Sequence, residues 1–284
     1  MRRQIFQVDA FTTERFSGNP AGVVYPSDGL EEHEMILLAR ELGNSESAFI
    51  MSDMKTLRFF TPKQEVPLCT HATVASYHVM VTSLGLPYGR HVMHCKAGEL
   101  SVEVTEDGTH PLISVSQKAV AYGQILDKDS QSFLERAIGF SLADISLPIQ
   151  WVSTGNPKIL VSLQSLSQLK ALNPDRQALI AVGNRVGCPG FYFFTLEKTE
   201  EGVDAHARMF SPGSGVDEDP VTGNAAGALA MYLQRYEKID GRNTLMIRQQ
   251  DSLGRFGYIR VRMDGEIPTI TGTSVTVCEG SMDW

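Results

Sequence analysis

The feature that most constrains this chain is that it repeats itself. Three blocks of the first half recur, in the same order, in the second. "GNPAGVVY" at Gly18 is matched by "GNPKILVS" at Gly155. "RFFTP" at Arg58 is matched by "RMFSP" at Arg208. "EVPLCTHATVASYHVM" at Glu65 is matched by "EDPVTGNAAGALAMYL" at Glu218. One such pair is ordinary chance; three in order imply a duplicated unit with insertions. With 284 residues the chain is long enough for two domains of usual size. The expected division is 1–117, joined by a C-terminal strand at 272–284, and 118–271.

Each half reads as strand-rich. "LSVEV" (Leu100–Val104), "LISVS" (Leu112–Ser116) and part of "FGYIRVRM" alternate with a period of two. Ile5, Phe6 and Val8 predict a first strand. "GLEEHEMILLARELG" predicts an amphipathic helix that begins after Ser27–Asp28 and stops at Gly43. "HATVASYHVM" and "NAAGALAMYL" differ: they are apolar or small on nearly every side, which is the pattern of a buried helix. The expected fold is therefore α+β. It consists of two pseudo-symmetric domains, each a β-barrel-like mixed sheet wrapped around one central helix.

Bulk properties remove several functions. A net charge of −8, with no dense Lys/Arg cluster, gives no nucleic-acid footprint. No apolar run reaches membrane-spanning length, and the start "MRRQIFQVDAFTTERF" lacks the apolar core of a signal peptide. Cys69, Cys95, Cys188 and Cys278 form no CxxC, so free thiols in a reducing cytoplasm are expected. No P-loop or dinucleotide fingerprint is present, and no cofactor is expected. "EEHEM" lacks the HExxH spacing, and the histidines form no ligand array by spacing, so no metal is expected.

Pseudo-twofold packing of related halves would bring two helix starts to one cleft, near Cys69-Thr70-His71 and near Thr222-Gly223-Asn224. Helix N-termini offer unsatisfied N–H groups and the positive end of a dipole, which suit a carboxylate. Thr70 and Thr222 are expected to cap their helices. Glu46 lies in the joint "GNSES" before apolar Phe49 and Ile50. A carboxylate at the edge of a core can both accept and donate a proton, although a solvated loop glutamate fits the same pattern. Cys69 and His71 suggest a thiol–imidazole couple, but residues two apart do not face each other on a helix.

The pieces "VDAFT…FSGNPAGVV", "ARELGNSESAF", "RFFTP…EVPLCTHAT", "RMFSPGSGVDEDPVTGNAAG" and "ITGTSVTV" span the chain in order. In combination the sequence resembles the phenazine-biosynthesis PhzF-like family, which is related in fold to diaminopimelate epimerase. The resemblance implies a cofactor-free isomerase that moves a proton on a small substrate in the cleft between two domains, and a homodimer. It implies that Glu46 is the catalytic acid/base and that His71 and Asp219 hold and polarise the substrate. Ser45, Thr70, Gly223 and Asn224 make further substrate contacts. The family commonly has Gly where this chain has Thr70, and often Ser where it has Asn224. The β-branched Thr70 narrows the site beside the helix start.

Two other classes fit the same residues. One is an amino-acid racemase or epimerase using Cys69 with Glu46. The related epimerases use two opposed cysteines, and the second position here is Thr222, whose hydroxyl is too weak an acid for that work. The other is a non-catalytic small-molecule binding protein of the same fold.

Overall fold

The computed structural model describes residues 2–143 and 145–284. They form two compact units, 2–116 with 271–284 and 117–270. In the first unit, strands run side by side in the order Ser274–Asp283, Arg2–Ala10, Asn19–Tyr25, Ser47–Ile50, Leu57–Phe60 and Glu65–Val66. An antiparallel meander outside that six-stranded sheet is made by Gly89–Cys95, Gly98–Asp107 and His110–Ser116. Asn19–Tyr25 and Ser47–Ile50 are parallel, and such a pair needs a crossover, supplied here by helix Glu32–Leu42. The helix starts later than the sequence predicts. Asp28 does not cap it; its carboxylate accepts from the Ser52 N–H at 2.7 Å. The cap is instead a Glu31–Glu34 capping box, in which the Glu34 carboxylate accepts the Glu31 N–H at 2.8 Å. Gly43, at φ +70°, ends it.

Helix Thr70–Thr82 is the core of this unit. It is buried from Thr70 to Met80, and strands Arg2–Ala10, Asn19–Tyr25, Ser47–Ile50, His110–Ser116 and Ser274–Asp283 all pack against it. Alanines at 72 and 75 and threonine at 73 keep its girth small, so strands close in on every side. A helix with no solvent face hides whatever polar groups it carries. His78 is 5% exposed; its Nε2 lies 3.2 Å from Thr276 Oγ1, and its Nδ1 has no partner among the described residues. Burial, with a lesser contribution from His110, pushes its pKa down to about 4.

This has a consequence for stability. Above pH 6.5 the imidazole is neutral in both folded and unfolded chain. As pH falls below 6.5 the unfolded chain binds a proton that the folded chain refuses until about pH 4. Stability should therefore drop by about 3 kcal/mol between pH 7.5 and pH 4 through this group alone. Urea unfolding of wild type and His78→Leu over that range checks it. The variant should lose that part of the pH dependence, and parallel curves would refute the assignment.

In the second unit the strand order is Ile267–Gly272, Phe256–Asp264, Thr244–Gln250, Ala205–Ser211, Phe191–Thr195, Lys158–Ser162, Gln150–Ser153 and Ala121–Ile125, with Val216–Asp219 paired to Ala205–Ser211. Lys158–Ser162 and Phe191–Thr195 are parallel, joined through helices Leu166–Ala171 and Arg176–Val186. Helix Gly223–Arg235 is buried from Ala225 to Leu233 and packs on Gln150–Ser153, Lys158–Ser162 and Phe256–Asp264. Each unit is thus a mixed sheet around one buried helix of 13 residues.

The succession of parts is the same in both units. A Gly with positive φ (Gly18 at +63°, Gly155 at +140°) turns the chain into a strand. A helical crossover leads to a parallel neighbour, and an antiparallel strand bearing Arg follows. A short strand bearing Glu then leads into the buried helix. The Arg and Glu pair in both cases. Arg58 donates to Glu65 at 2.8 and 3.1 Å and lies 5.0 Å over the Phe60 ring. Arg208 donates to Glu218 at 2.7 Å and lies 4.9 Å over Phe210.

Candidate active site

Among the sequence-predicted residues, the first unit brings together Glu46, Cys69 and His71. Glu46 sits between the Gly43 helix stop and strand Ser47–Ile50. This joint is held by a reciprocal amide pair, Gln7 to Asn44 at 2.6 Å and Asn44 to Gln7 at 2.9 Å. Ser47, the next residue, is fully buried and anchors the strand. The glutamate is thereby fixed on a short tether, with its side chain 24% exposed. Its Oε2 is 3.8 Å from His71 Nε2.

His71 is in the first turn of the buried helix and is itself buried. The helix begins at Thr70, and its N-cap residue is Cys69, not Thr70. This corrects the expected capping: Thr70 is the first helical residue. The Cys69 backbone is extended (φ −137°, ψ 112°), so position 69 is not on the helical path. Its carbonyl accepts the Thr73 N–H at 2.9 Å and the Thr73 hydroxyl at 2.8 Å, which starts the helix. Its thiol lies 3.3 Å from His71 Nδ1 and 3.8 Å from Nε2. The expectation that residues 69 and 71 do not face each other fails for this reason: the spacing rule applies inside a helix, and Cys69 is outside it. One ligand-type atom from each of Glu46, Cys69 and His71 falls within 4.8 Å of the others. Histidine spacing gave no sign of such a group, because its members are contributed by a loop, a cap and a helix.

Ser45 adjoins Glu46 and is half-buried, and Thr70 stands buried between Cys69 and His71. A groove of about 850 Å³ in the same unit is lined by Arg2, Gln4, Thr82, Ser83 and Glu279. None of the predicted residues lines it.

The second unit carries the other predicted residues, Asp219, Gly223 and Asn224, on one turn. Asp219 ends strand Val216–Asp219, and Gly223 opens the buried helix. Thr222 is the N-cap by position but makes no side-chain cap hydrogen bond, which corrects the second capping expectation. Its hydroxyl donates to Asp219 Oδ2 instead. Two residues missed by the sequence reading concern this turn: one holds it by hydrogen bonds and the other feels the charge of its Asp219. Gln249 is fully buried in strand Thr244–Gln250. Its Oε1 accepts the Thr222 N–H at 2.9 Å, and its Nε2 donates to the Asp219 carbonyl at 2.7 Å and to Thr222 Oγ1 at 3.2 Å. The Tyr192 hydroxyl is buried without a partner among the described residues, and burial, then the Asp219 charge, pushes its pKa up. A glutamine or tyrosine in a strand carries no sequence signal of such a role. The Asn224 side-chain oxygen is also buried without a partner among the described residues, while the Asn224 carbonyl accepts the Thr154 hydroxyl at 3.0 Å.

Comparison with known proteins agrees with this architecture. A family model described as phenazine biosynthesis-like protein matches residues 8–280. An uncharacterized isomerase of Escherichia coli, YddE, is 39% identical, the match covering 97% of this chain and 96% of the relative. The trans-2,3-dihydro-3-hydroxyanthranilate isomerase of Pseudomonas fluorescens is 28% identical over 95% of this chain and 93% of its own. The crystal structure of a PhzF-family phenazine biosynthesis protein from Bacillus anthracis superposes with a TM-score of 0.90, at 29% identity and full coverage of both chains. A match that runs almost end to end, on a fold of two helix-centred units, leaves one assignment: the chain belongs to the PhzC-PhzF family of phenazine biosynthesis-like proteins and is an isomerase of that family.

Proposed function

We propose that the protein isomerises a small carboxylate-bearing substrate by moving a proton from one carbon to another, with Glu46 as the acid/base. The observation that carries this reading is the placement of the Glu46 carboxylate, tethered between a helix stop and a buried strand, 3.8 Å from the imidazole at the start of a buried helix. Ionised Glu46 takes a proton from carbon, leaving a conjugated anion. The resulting carboxylic acid returns that proton at a second carbon. Nothing is oxidised or reduced, so the step needs no redox cofactor. His71 orients the substrate and balances the developing charge. The N–H groups that open helix Thr70–Thr82 suit the substrate carboxylate, with Ser45 and Thr70 beside them. Asp219, Gly223 and Asn224 are proposed as further substrate contacts.

The named activity of the Pseudomonas fluorescens relative supports a cyclic, unsaturated amino acid as the substrate class. We read the repeated succession of parts as an internal duplication, and we expect a cytoplasmic homodimer with no nucleic-acid partner. No helix among the described residues is long and apolar enough to cross a membrane.

The test is proton exchange by NMR in heavy water. Trans-2,3-dihydro-3-hydroxyanthranilate and a panel of cyclic carboxylic and amino acids would be offered to the wild-type protein. Isomerisation of one of them, with the proton moved or replaced by deuterium at carbon, is the expected result. Binding without any exchange across the panel would favour the binding-protein reading and count against ours.

One observation favours a second reading. The Cys69 thiol sits in the same cluster as Glu46 and His71, so a racemase using Cys69 with Glu46 has its groups assembled. Loss of turnover in Cys69→Ala, with inversion of an amino-acid stereocentre by wild type, would establish it. Retained turnover in that variant removes it.

A further inference from the structure

The two units keep matching residues in matching registers, and one pair of positions breaks the match. In the first unit Gly22 pairs with Ser47 and Phe49 with Arg58. In the second Ile159 pairs with Phe191 and Phe193 with Arg208. Aligning "GNPAGVVY" with "GNPKILVS" makes Lys158 the counterpart of Ala21. The register then makes Gly190, which precedes Phe191, the counterpart of Glu46, which precedes Ser47. One unit has alanine on the first strand and an acid before the second. The other has lysine on the first strand and no side chain before the second. We infer that Lys158 is a specificity-determining residue whose ammonium group binds the anionic group of the substrate. This rests on the function proposed above only in taking the ligand to be that carboxylate-bearing substrate.

The lysine occupies the space that a side chain at 190 would fill. A methyl group on Gly190 would lie 2.5 Å from Lys158 Cδ and 3.1 Å from its Cε. The scaffold does not call for a charge here, because Ala21 is fully buried at the corresponding place. Lys158 is only 3% exposed. Taking an ammonium group out of water is costly, and lysine is among the residues least often buried. A lysine where alanine serves the packing has a task beyond packing.

The amine is at the end of the unit where ligand contacts are proposed. Lys158 Nζ donates to the Pro157 carbonyl at 3.2 Å, so the side chain turns back toward the start of its strand. The buried helix Gly223–Arg235 opens beside that turn: the Thr154 hydroxyl donates to the Asn224 carbonyl at 3.0 Å. Asn224 aligns with His71 in the repeat, and in the first unit His71 is the residue 3.8 Å from Glu46. Lys158 therefore stands in its unit where Glu46 stands in the other, with the opposite charge. Its strand face carries two more polar groups. Leu160 pairs with Tyr192, Tyr192 with Met209, and Met209 with Asp219, so the side chains of Tyr192 and Asp219 share the face of Lys158. A cation, a buried hydroxyl and a carboxylate on one face suit a ligand that carries both an anionic group and a hydrogen-bond donor, as an amino acid does.

Calorimetry with anthranilate and the cyclic carboxylic acids of the exchange panel, each against its uncharged amide, tests the inference. Wild type should bind at least one acid more tightly than its amide. Lys158→Met and Lys158→Gln should each bind that acid about 10–100-fold more weakly, the usual worth of a hydrogen bond to a charged group, and the amide as before. Lys128→Met, at an exposed lysine of the same unit, removes the same charge and should bind as wild type does. Circular dichroism shows whether each variant is folded, and two replacements at 158 guard against a failure of either. If no acid outbinds its amide, or if folded Lys158 variants keep the preference, the inference is overturned. If the preference goes with Lys158 while Glu46→Gln turns over normally, Lys158 stands and the role proposed for Glu46 falls. If the Lys158 variants bind and turn over as wild type does while Glu46→Gln is inactive, Lys158 falls and that role stands.

Discussion

Turnover by the Glu46→Gln variant should fall by about 10²–10⁴-fold, with KM changed much less. Glutamine keeps the size of the side chain and an oxygen that can accept a hydrogen bond, but it cannot carry a proton between carbons. The substitution therefore removes the chemistry and leaves the shape. Stability should hardly change, because Glu46 is partly exposed on a loop whose conformation is fixed by others: the Gly43 stop, the Gln7–Asn44 amide pair and buried Ser47. Steady-state kinetics on whichever substrate the exchange experiment finds, together with urea unfolding, separate the two effects. A variant that folds normally and turns over within about threefold of wild type would eliminate Glu46 as the acid/base, since general acid–base catalysis contributes far more than that. Attention would then pass to Cys69, which has an imidazole at 3.3 Å.

The architecture was legible where the sequence pattern and the physics are both local. Strict alternation in "LSVEV" and "LISVS" corresponds to strands Gly98–Asp107 and His110–Ser116. The all-apolar "HATVASYHVM" is a helix with no solvent face. The glycines before "NPAGVVY" and "NPKILVS" have the positive φ that a turn into a strand asks for. The site was less legible, for identifiable reasons. Composition and spacing left Glu46 equivalent to any loop glutamate, and only the family resemblance singled it out. The Cys69–His71 contact depends on where the helix begins, and a displacement of one residue decides whether the helical spacing rule applies. Gln249 lies in a strand, where alternation says that a side chain is buried but not which turn it will hold. Thr222 illustrates the limit of capping rules. A threonine at a helix start normally accepts from the backbone, but a neighbouring carboxylate, Asp219, takes its hydroxyl instead.

The repeated Arg–Glu pair gives the second large expected effect. Glu218→Ala should destabilise the 117–270 unit by about 3–5 kcal/mol, the cost of stripping a buried ion of its partner. The Arg208 side chain is 3% exposed and that of Glu218 11%. The guanidinium also donates to the carbonyls of Leu172 at 2.7 Å and Leu169 at 3.1 Å, so it ties the end of helix Leu166–Ala171 to the strand. The second Glu218 oxygen accepts from the Ser252 N–H at 3.0 Å and its hydroxyl at 2.6 Å. Removing the carboxylate leaves all these groups in place and the positive charge uncompensated. The matching substitution in the first unit, Glu65→Ala, should cost less. There Arg58 is 28% exposed and has a second carboxylate, Glu32, at 3.6 Å, so water and a neighbour replace part of what is lost. Urea unfolding of both variants gives the comparison. Where urea resolves two transitions, each loss is read in the transition of its own unit. The double variant Arg208→Met/Glu218→Ala distinguishes a weak pair from a costly orphan. If the penalty comes from an unpaired buried charge, replacing Arg208 by an apolar side chain should recover much of it. If Glu218→Ala alone loses less than about 1 kcal/mol, the pair behaves as an exposed one and the argument from burial is wrong.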